Sequence, residues 1–128
     1  MTYRSDPAGP GRAARDASEP AGAPQDEHAA VAAEMFAMLS DPTRLKLLWL
    51  LLTQGEADVG TLAGGARTSA TATSQHLAKL RLSGLVTQRV DGRRRLYTAT
   101  GTHLHEMITA ALERAEHVVE GVPDHDRA

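Results

Sequence analysis

A leucine-containing stretch rich in small polar residues, Thr68–Leu85, is followed almost at once by a basic segment, Gln88–Thr98. The first segment predicts a helix that starts near Ser69 and ends near Ser83-Gly84, with Gly84 as its C-cap. Its apolar anchors are predicted to be Leu77, Leu80 and Leu82, with Leu85 after the turn. Its short hydrogen-bonding side chains suit base edges and phosphates, and Lys79 adds charge: Ser69, Thr71, Thr73, Ser74, Gln75 and His76. We therefore expect this helix to enter DNA.

The basic segment has the pattern of a β-hairpin. Asp91-Gly92 predicts a two-residue turn between strands at 85–89 and 94–98, because glycine tolerates the positive φ that a primed turn requires. Four arginines flank this turn and are expected to contact DNA: Arg89, Arg93, Arg94 and Arg95. A polar helix followed by an arginine-tipped hairpin is the composition expected of a winged helix-turn-helix domain.

The formal net charge of −2 hides an uneven distribution. Residues 43–97 hold nine Lys/Arg and three acids, a local charge of +6, whereas residues 98–128 hold two Arg and six acids, a local charge of −4. Because screening removes fields beyond roughly 8–10 Å, a phosphate backbone responds to local charge. The pattern predicts a DNA face in the middle of the chain and a separate effector or dimer face at its C-terminal end.

The other elements are predicted from apolar periodicity and from start and stop residues. Asp41 and Pro42 form a strong helix start, as N-cap and first helical residue. The predicted helices are 28–39, the leucine-rich and most buried 43–52 ended by Gly55, a short 59–63 followed by a Gly64-Gly65 turn, and 102–119 ended by Gly121 and Pro123. The predicted fold class is mainly α with a small β-hairpin, a winged helix-turn-helix in the order α-α-α-α-β-β-α.

Three regions are predicted along the chain. Residues 1–25 are rich in Ala, Gly, Pro and Asp and are predicted to be a disordered tail. Residues 26–120 would form the DNA-binding and dimerisation domain, and residues 121–128 a C-terminal tail.

Several classes of protein are disfavoured. The absence of cysteine excludes disulfides and thiolate metal sites and fits a reducing cytosol. No apolar run approaches the ~20 residues that cross a membrane, and residues 1–27 lack the apolar core of a signal peptide. We therefore expect a cytoplasmic protein with no membrane partner. No phosphate-binding loop or Ser-His-Asp signature is present, so we do not expect an enzyme.

Three segments together resemble the ArsR–SmtB family of metal-sensing repressors: LSDPTRLKLLWLL, TSQHLAKLRLSGLV and VDGRRRLYT. The resemblance extends over about residues 28–128. It implies a homodimeric winged helix that binds double-stranded operator DNA when metal-free and leaves it when metal binds. It also implies a metal exporter as the regulated gene.

Histidines are the second informative feature, with six in the chain and four in the last 26 residues. His103 and His117 are 14 residues apart on one predicted helix, which returns them to within about 40° of the same face but about 21 Å apart along the axis. One helix therefore cannot close both on one ion. An antiparallel partner helix would bring His103 of one chain to Glu116 and His117 of the other, giving two equivalent sites per dimer.

The family resemblance sharpens this expectation. The resemblance implies a final-helix zinc site of the form Asp-x-His followed by His-x-x-Glu/His. The corresponding positions here are Gly101, His103, Arg114 and His117, so two of the four ligand types are missing. The ending AEHVVEGVPDHDRA instead resembles the KmtR-type nickel/cobalt sensors. That branch implies His103, Glu116, His117 and His125 as ligands, with Asp126 where the branch has a second tail histidine.

About five imidazole and carboxylate candidates suit six-coordinate Ni²⁺ or Co²⁺, whereas Zn²⁺ prefers four ligands. Two alternatives stay open: a Zn²⁺-responsive repressor of the same family, and a winged-helix regulator with no metal response. Three histidines have other expected roles. His105 is expected to be exposed or packed, His76 to contact DNA or make a structural hydrogen bond, and His28 to lie at the surface or contribute to the site.

Overall fold

The computed structural model describes residues 22–121. The chain divides at Val31–Ala32 into two units, and of the first unit only residues 22–31 are described. Most of the predicted tail at 1–25, and all of the C-terminal tail except Gly121, lie outside the described residues. The elements in chain order are α1 (Asp26–Leu39), α2 (Pro42–Gln54), β1 (Ala57–Asp58), α3 (Val59–Ala66), α4 (Ala70–Leu82), β2 (Val86–Asp91), β3 (Arg94–Ala99) and α5 (Thr102–Glu120).

Helix α2 begins and ends where the sequence predicts. Asp41 is its N-cap and accepts a 2.9 Å hydrogen bond from the Arg44 backbone N–H, and Pro42 occupies the first turn. Gly55 ends the helix at φ +89° and donates its N–H to the Leu51 carbonyl. The Asp41 carboxylate thus accepts from a backbone N–H of the first turn that has no acceptor within the helix.

The core is built on α2, as predicted. Leu47 and Leu48 are fully buried, and Leu51 is 3% exposed. Helix α2 packs against α3, α4, β3 and α5. The core also includes Leu62 of α3, Leu77 and Leu80 of α4, Val86 and Tyr97 of the sheet, and Leu104 and Ile108 of α5.

Helix α3 differs from the prediction. The Gly64-Gly65 pair does not form a turn but lies inside the helix, which continues to Ala66. The absence of a side chain at Gly65 lets α3 approach α2 closely, because a Cβ on Gly65 would lie 2.9 Å from Leu50 Cδ1. The chain turns instead at Arg67, which takes the left-handed conformation (φ 58°). Its backbone N–H donates to carbonyls in the last turn of α3.

Helix α4 begins as predicted, with Ser69 as N-cap accepting from the Ala72 N–H at 3.0 Å. Gly84 follows the cap residue Ser83 and takes φ +82°, which ends the helix in the way predicted for glycine. The prediction for Leu82 was wrong: its side chain is 90% exposed and anchors nothing in the protomer. Leu77 and Leu80, with Thr73 one turn earlier, recur at the spacing of its inner face and are buried, whereas Leu82 falls on the outer face.

The sheet has three antiparallel strands in the order β1-β3-β2, one more than the predicted hairpin. Asp91 pairs with Arg94, so the two-residue turn is Gly92-Arg93, one residue later than predicted. Gly92 takes φ +67° while Arg93 does not have a positive φ, and this matches a turn in which only the first central residue needs glycine.

Helix α5 is a single unbroken helix that ends at Gly121 (φ 75°), as predicted. Only Leu104 and Ile108 of this helix are buried. No residue of its second half is buried. In residues 22–121, no helix is long and apolar enough to span a membrane.

Replacing Asp41 tests the contribution of the α2 cap. We expect Asp41→Ala to lower the free energy of unfolding by about 1 kcal/mol, because a backbone N–H at the start of the most buried helix loses its acceptor. Asp41→Asn is the matched control, since its amide oxygen keeps an acceptor and loses only the charge. Urea unfolding at one fixed protein concentration measures both, and equal losses in the two variants would contradict the assignment of Asp41 as a cap.

Candidate DNA interface and candidate metal ligands

The outward surface of α4 carries most of the predicted DNA-contacting residues. The side chains of Thr71, Ser74, Gln75 and Lys79 are exposed. Ser69 is also exposed, and its hydroxyl oxygen already accepts the capping hydrogen bond. The structure thus brings five of the predicted residues to the accessible surface of one helix.

Thr73 is the exception in this helix. It is fully buried, and its hydroxyl donates to the Ser69 carbonyl at 2.8 Å. It closes the first turn of α4 from within. Our proposed DNA-contacting set therefore leaves Thr73 out.

His76 lies at the junction between α4 and the start of α2. Its Nε2 is 3.8 Å from Asp41 Oδ2, and its Nδ1 is 3.5 Å from Arg44 Nη1. Arg44 also donates from Nε to the Met38 carbonyl at 2.7 Å, at the C-terminal end of α1. His76, with 22% of its side chain exposed, therefore makes the structural contact that was one of its two expected roles.

The charges at this junction act on Asp41. Its pKa is lowered from 3.8, first by the hydrogen bond from the Arg44 backbone N–H, with smaller effects from the charges of His76 and Arg44. The carboxylate therefore remains ionised while it caps α2 and faces α4.

The β2–β3 hairpin is the wing, and two of its four arginines are paired with acids. Arg89 donates from Nε and Nη2 to the two Glu56 carboxylate oxygens at 2.7 and 2.9 Å. Arg94 donates from Nε and Nη2 to Asp58 Oδ2 at 3.3 and 3.2 Å. The Arg89 hydrogen bonds lower the pKa of Glu56 from 4.5, and the hydrogen bonds of Thr61, ahead of those of Arg94, lower the pKa of Asp58 from 3.8.

The sequence analysis did not single out Glu56 or Asp58. They lie 33 and 36 residues from their arginines, so no local pattern could join them. Asp58 carries a signal that was readable, because it directly precedes a helix and is its N-cap, accepting from the Thr61 N–H at 2.9 Å. The other two wing arginines, Arg93 and Arg95, are exposed.

The predicted metal ligands are separated within one protomer. His103 lies in the first turn of α5, 93% exposed, with Nδ1 3.6 Å from Glu106 Oε1. Glu116 and His117 lie in its last turns. Within residues 22–121 no three His, Asp or Glu side chains form a group that would hold a metal ion. His125 and Asp126 lie outside the described residues.

His105 was expected to be exposed or packed. It is exposed and also packs against a neighbouring aromatic ring. Its ring stacks on Trp49 of α2, with ring centroids 5.7 Å apart and planes 18° from parallel. The contact fastens the first turn of α5 to the core helix.

Gly101 explains one departure from the zinc pattern. It precedes α5 with φ +94°, a conformation that L side chains rarely adopt, and it makes no side-chain cap. An aspartate there would be strained. The loop that leads into α5 is thus shaped for glycine.

The pairing of Glu56 with Arg89 predicts a pH-dependent contribution to stability. Because the folded-state pKa of Glu56 is lowered, its contribution is fully present above about pH 4.5 and is lost as pH falls through the lowered pKa. We expect Glu56→Gln to lower the free energy of unfolding near neutral pH and to converge with the wild type in acid. A constant difference between Glu56→Gln and the wild type at every pH would contradict the prediction.

Comparison with known proteins agrees with this geometry. The family described as "Bacterial regulatory protein, arsR family" matches residues 41–88, from the α2 cap to the first wing strand. The chain is 39% identical to the HTH-type transcriptional regulator KmtR of Mycobacterium tuberculosis over 80% of this chain and 78% of that protein. It is 30% identical to a cadmium resistance transcriptional regulatory protein CadC homolog of Staphylococcus aureus, over 62% of this chain and 65% of that protein.

A solved structure matches the fold. The homodimeric winged helix-turn-helix DNA-binding domain of Mb0332 from Mycobacterium bovis, described as a possible ArsR-family transcriptional regulator, superposes with a TM-score of 0.63 at 29% identity. The match covers 77% of this chain and 93% of that one. The predicted winged helix-turn-helix class is confirmed, and the relatives are transcriptional regulators rather than enzymes. The chain belongs to the ArsR family of bacterial transcriptional regulators.

Proposed function

We propose that this regulator is a repressor that binds operator DNA as a homodimer and is released from it when Ni²⁺ or Co²⁺ binds between the two chains. One observation carries the proposal: His103 and the pair Glu116–His117 lie at opposite ends of one unbroken helix, α5. A rise of 1.5 Å per residue separates those ends by about 21 Å. A shared ion therefore needs ligands from a second chain.

The exposed apolar surface supports a dimer. Phe36 of α1 is 58% exposed, and Leu112, Val118 and Val119 of α5 are 40%, 62% and 85% exposed. No α5 residue after Ile108 is buried. A helix half with no buried residue is marginal in water, so a partner surface would stabilise it.

Symmetry supports the pairing of the ligands. In an antiparallel pair of α5 helices related by a two-fold axis near Ala110, position 103 of one copy faces position 117 of the other. Ala110 and Ala111 are small and exposed, which lets two helices approach closely at that point. The two-fold operation repeats the arrangement, so the dimer would hold two equivalent sites.

The donor set suits the proposed ions. His103, Glu116 and His117 supply imidazole and carboxylate, and His125 and Asp126 of the tail would add one more of each. Five such donors per site fit the coordination number of Ni²⁺ and Co²⁺ better than the four ligands of Zn²⁺. His105 is not in the set, because its ring is stacked on Trp49.

The DNA side of the proposal uses α4 and the wing. The exposed polar residues of α4 would read one major groove in each half-site, and the wing would contact flanking phosphates. Metal binding would fix the two α5 helices and tails in one arrangement. That arrangement would space the two α4 helices poorly for the operator, a coupling that is typically about 1–3 kcal/mol.

The regulated gene would encode a metal exporter. The resemblance to the nickel/cobalt-sensing branch supports this, and so does the similarity to a regulator named for cadmium resistance. The absence of cysteine in this chain separates its donor chemistry from thiolate sites.

Release of DNA by metal tests the proposal. We expect Ni²⁺ or Co²⁺ to release a fluorescent duplex, taken from upstream of the chain's own gene, at concentrations where Zn²⁺ does little. Fluorescence anisotropy follows the release. His103→Ala should bind the duplex normally and lose release, whereas His105→Phe, which keeps an aromatic ring to stack on Trp49, should keep it. Release by Zn²⁺ alone would show a zinc sensor, and no release by any metal would show a regulator that does not sense metal.

Mixed dimers test the sharing of ligands between chains. His103→Ala and His117→Ala dimers should each lose both sites. A dimer with one chain of each kind, purified through two different tags, should regain one site, because its intact His103 faces an intact His117. Equilibrium dialysis with Ni²⁺ should therefore give one ion in the mixed dimer and two in the wild type. No recovery in the mixed dimer would contradict a site shared between chains.

A further inference from the structure

We propose that Glu56 and Asp58 are positioning residues that hold Arg89 and Arg94 away from DNA, and that Arg93 and Arg95 make the phosphate contacts of the wing. The inference rests on the proposed DNA binding and assigns separate roles to four arginines that are equivalent in the sequence.

The register of the sheet places these arginines on different faces. Arg89 pairs with Leu96, and Leu96 pairs with Asp58, so their side chains share one face, here called the Leu96 face. Arg94 is two residues before Leu96 and shares that face. Arg95 alternates with Arg94 and lies on the opposite face, with Tyr97.

Helix α4 lies on the Arg95 side of the sheet. Tyr97 and Val86 share that side, because Gln88 pairs with Tyr97 and is two residues from Val86. Both belong to the same core cluster as Leu77 and Leu80 of α4. Arg95 therefore projects on the side of the sheet that carries the DNA-reading helix, and Arg89 and Arg94 project on the other.

The hydrogen bonds agree with this division. Arg89 and Arg94 each use Nε and Nη2 to bind a carboxylate, with distances of 2.7 to 3.3 Å. Each pair has no net charge, so its attraction for a phosphate is weak. Arg93 sits in the turn at the tip of the wing, and no ion pair to Arg93 or Arg95 occurs within residues 22–121.

Asp58 joins the wing to the helix-turn-helix. Its Oδ1 accepts from the Thr61 N–H at the start of α3, and its Oδ2 accepts from Arg94 of β3. Glu56, the residue before β1, accepts hydrogen bonds from Arg89 of β2. Two strands of the wing are thus tied to the segment that leads into α3, and this sets the direction of the hairpin relative to α4.

Four matched variants test the assignment, each removing one positive charge from the same hairpin. The measurement is the slope of log K against log salt for binding to the upstream duplex and to a scrambled duplex. We expect Arg93→Gln and Arg95→Gln to reduce the slope by about 0.9 for each lost contact, or about 1.8 for a dimer with two wings. Arg89→Gln and Arg94→Gln keep an amide N–H that can donate to Glu56 or Asp58, so they should keep the wing in place and leave the slope unchanged. A loss at Arg89 or Arg94 equal to that at Arg93 or Arg95, or no loss at the latter two, would overturn the proposal.

A charge swap tests the positioning role of Glu56. Glu56→Arg and Arg89→Glu each break the pair and should weaken binding to the upstream duplex, because the wing loses its fixed direction. The double variant restores an ion pair of reversed polarity and should recover both affinity and salt slope. If Arg89 itself touched a phosphate, the swap would place a glutamate there and binding would stay weak, which would overturn the proposal.

Failure of the proposed function would look different. In that case the wild type would bind neither duplex, and the inference would fall with it. Wild-type binding with another pattern among the arginines would overturn the inference alone. Arg93 and Arg95 are exposed at and beside the turn, so their variants should fold and keep the test decisive.

Discussion

The burial of one leucine face on α2 is the constraint on which the rest of the structure depends. Leu47, Leu48 and Leu51 contribute about 1.5–3 kcal/mol each when fully removed from water. Helix α4 with its predicted DNA-contacting residues, β3 of the wing, and α5 all pack against this helix. Because α4 and α5 both pack against α2, this helix connects the two.

Two helix caps in this fold have a second role. Asp41 caps α2 and lies 3.8 Å from His76 of α4, and Asp58 caps α3 and accepts from Arg94 of β3. Each carboxylate joins an element that carries predicted DNA-contacting residues to the start of a core helix. Neither cap is deeply buried, so their contribution is to orientation more than to overall stability. The direction of the wing and the position of α4 against α2 therefore depend on a few polar contacts.

Much of the fold was predictable because helix punctuation and apolar spacing are local. Asp41-Pro42, Gly55, Gly84 and Gly121 mark helix ends in the sequence as in the structure. Strand β1 was not predictable, because two residues show no alternation. The position of Gly64-Gly65 inside α3 depends on the neighbouring Leu50, a tertiary effect. The surroundings of the predicted DNA-contacting residues were not predictable for a related reason: the burial of Thr73 and the pairing of Arg89 with Glu56 depend on residues brought together only by folding.

Within residues 22–121, His103 and the pair Glu116–His117 lie at opposite ends of α5, and the proposed coupling to DNA depends on a second chain that brings them together. Coupling between two ligands is reciprocal, so the most direct test is the affinity of the dimer for Ni²⁺ with and without bound operator DNA. The account predicts that DNA weakens Ni²⁺ binding by the same factor by which Ni²⁺ weakens DNA binding, about 5- to 150-fold. Equal Ni²⁺ affinities in the two states would contradict it, because a metal that binds both states equally cannot release the operator.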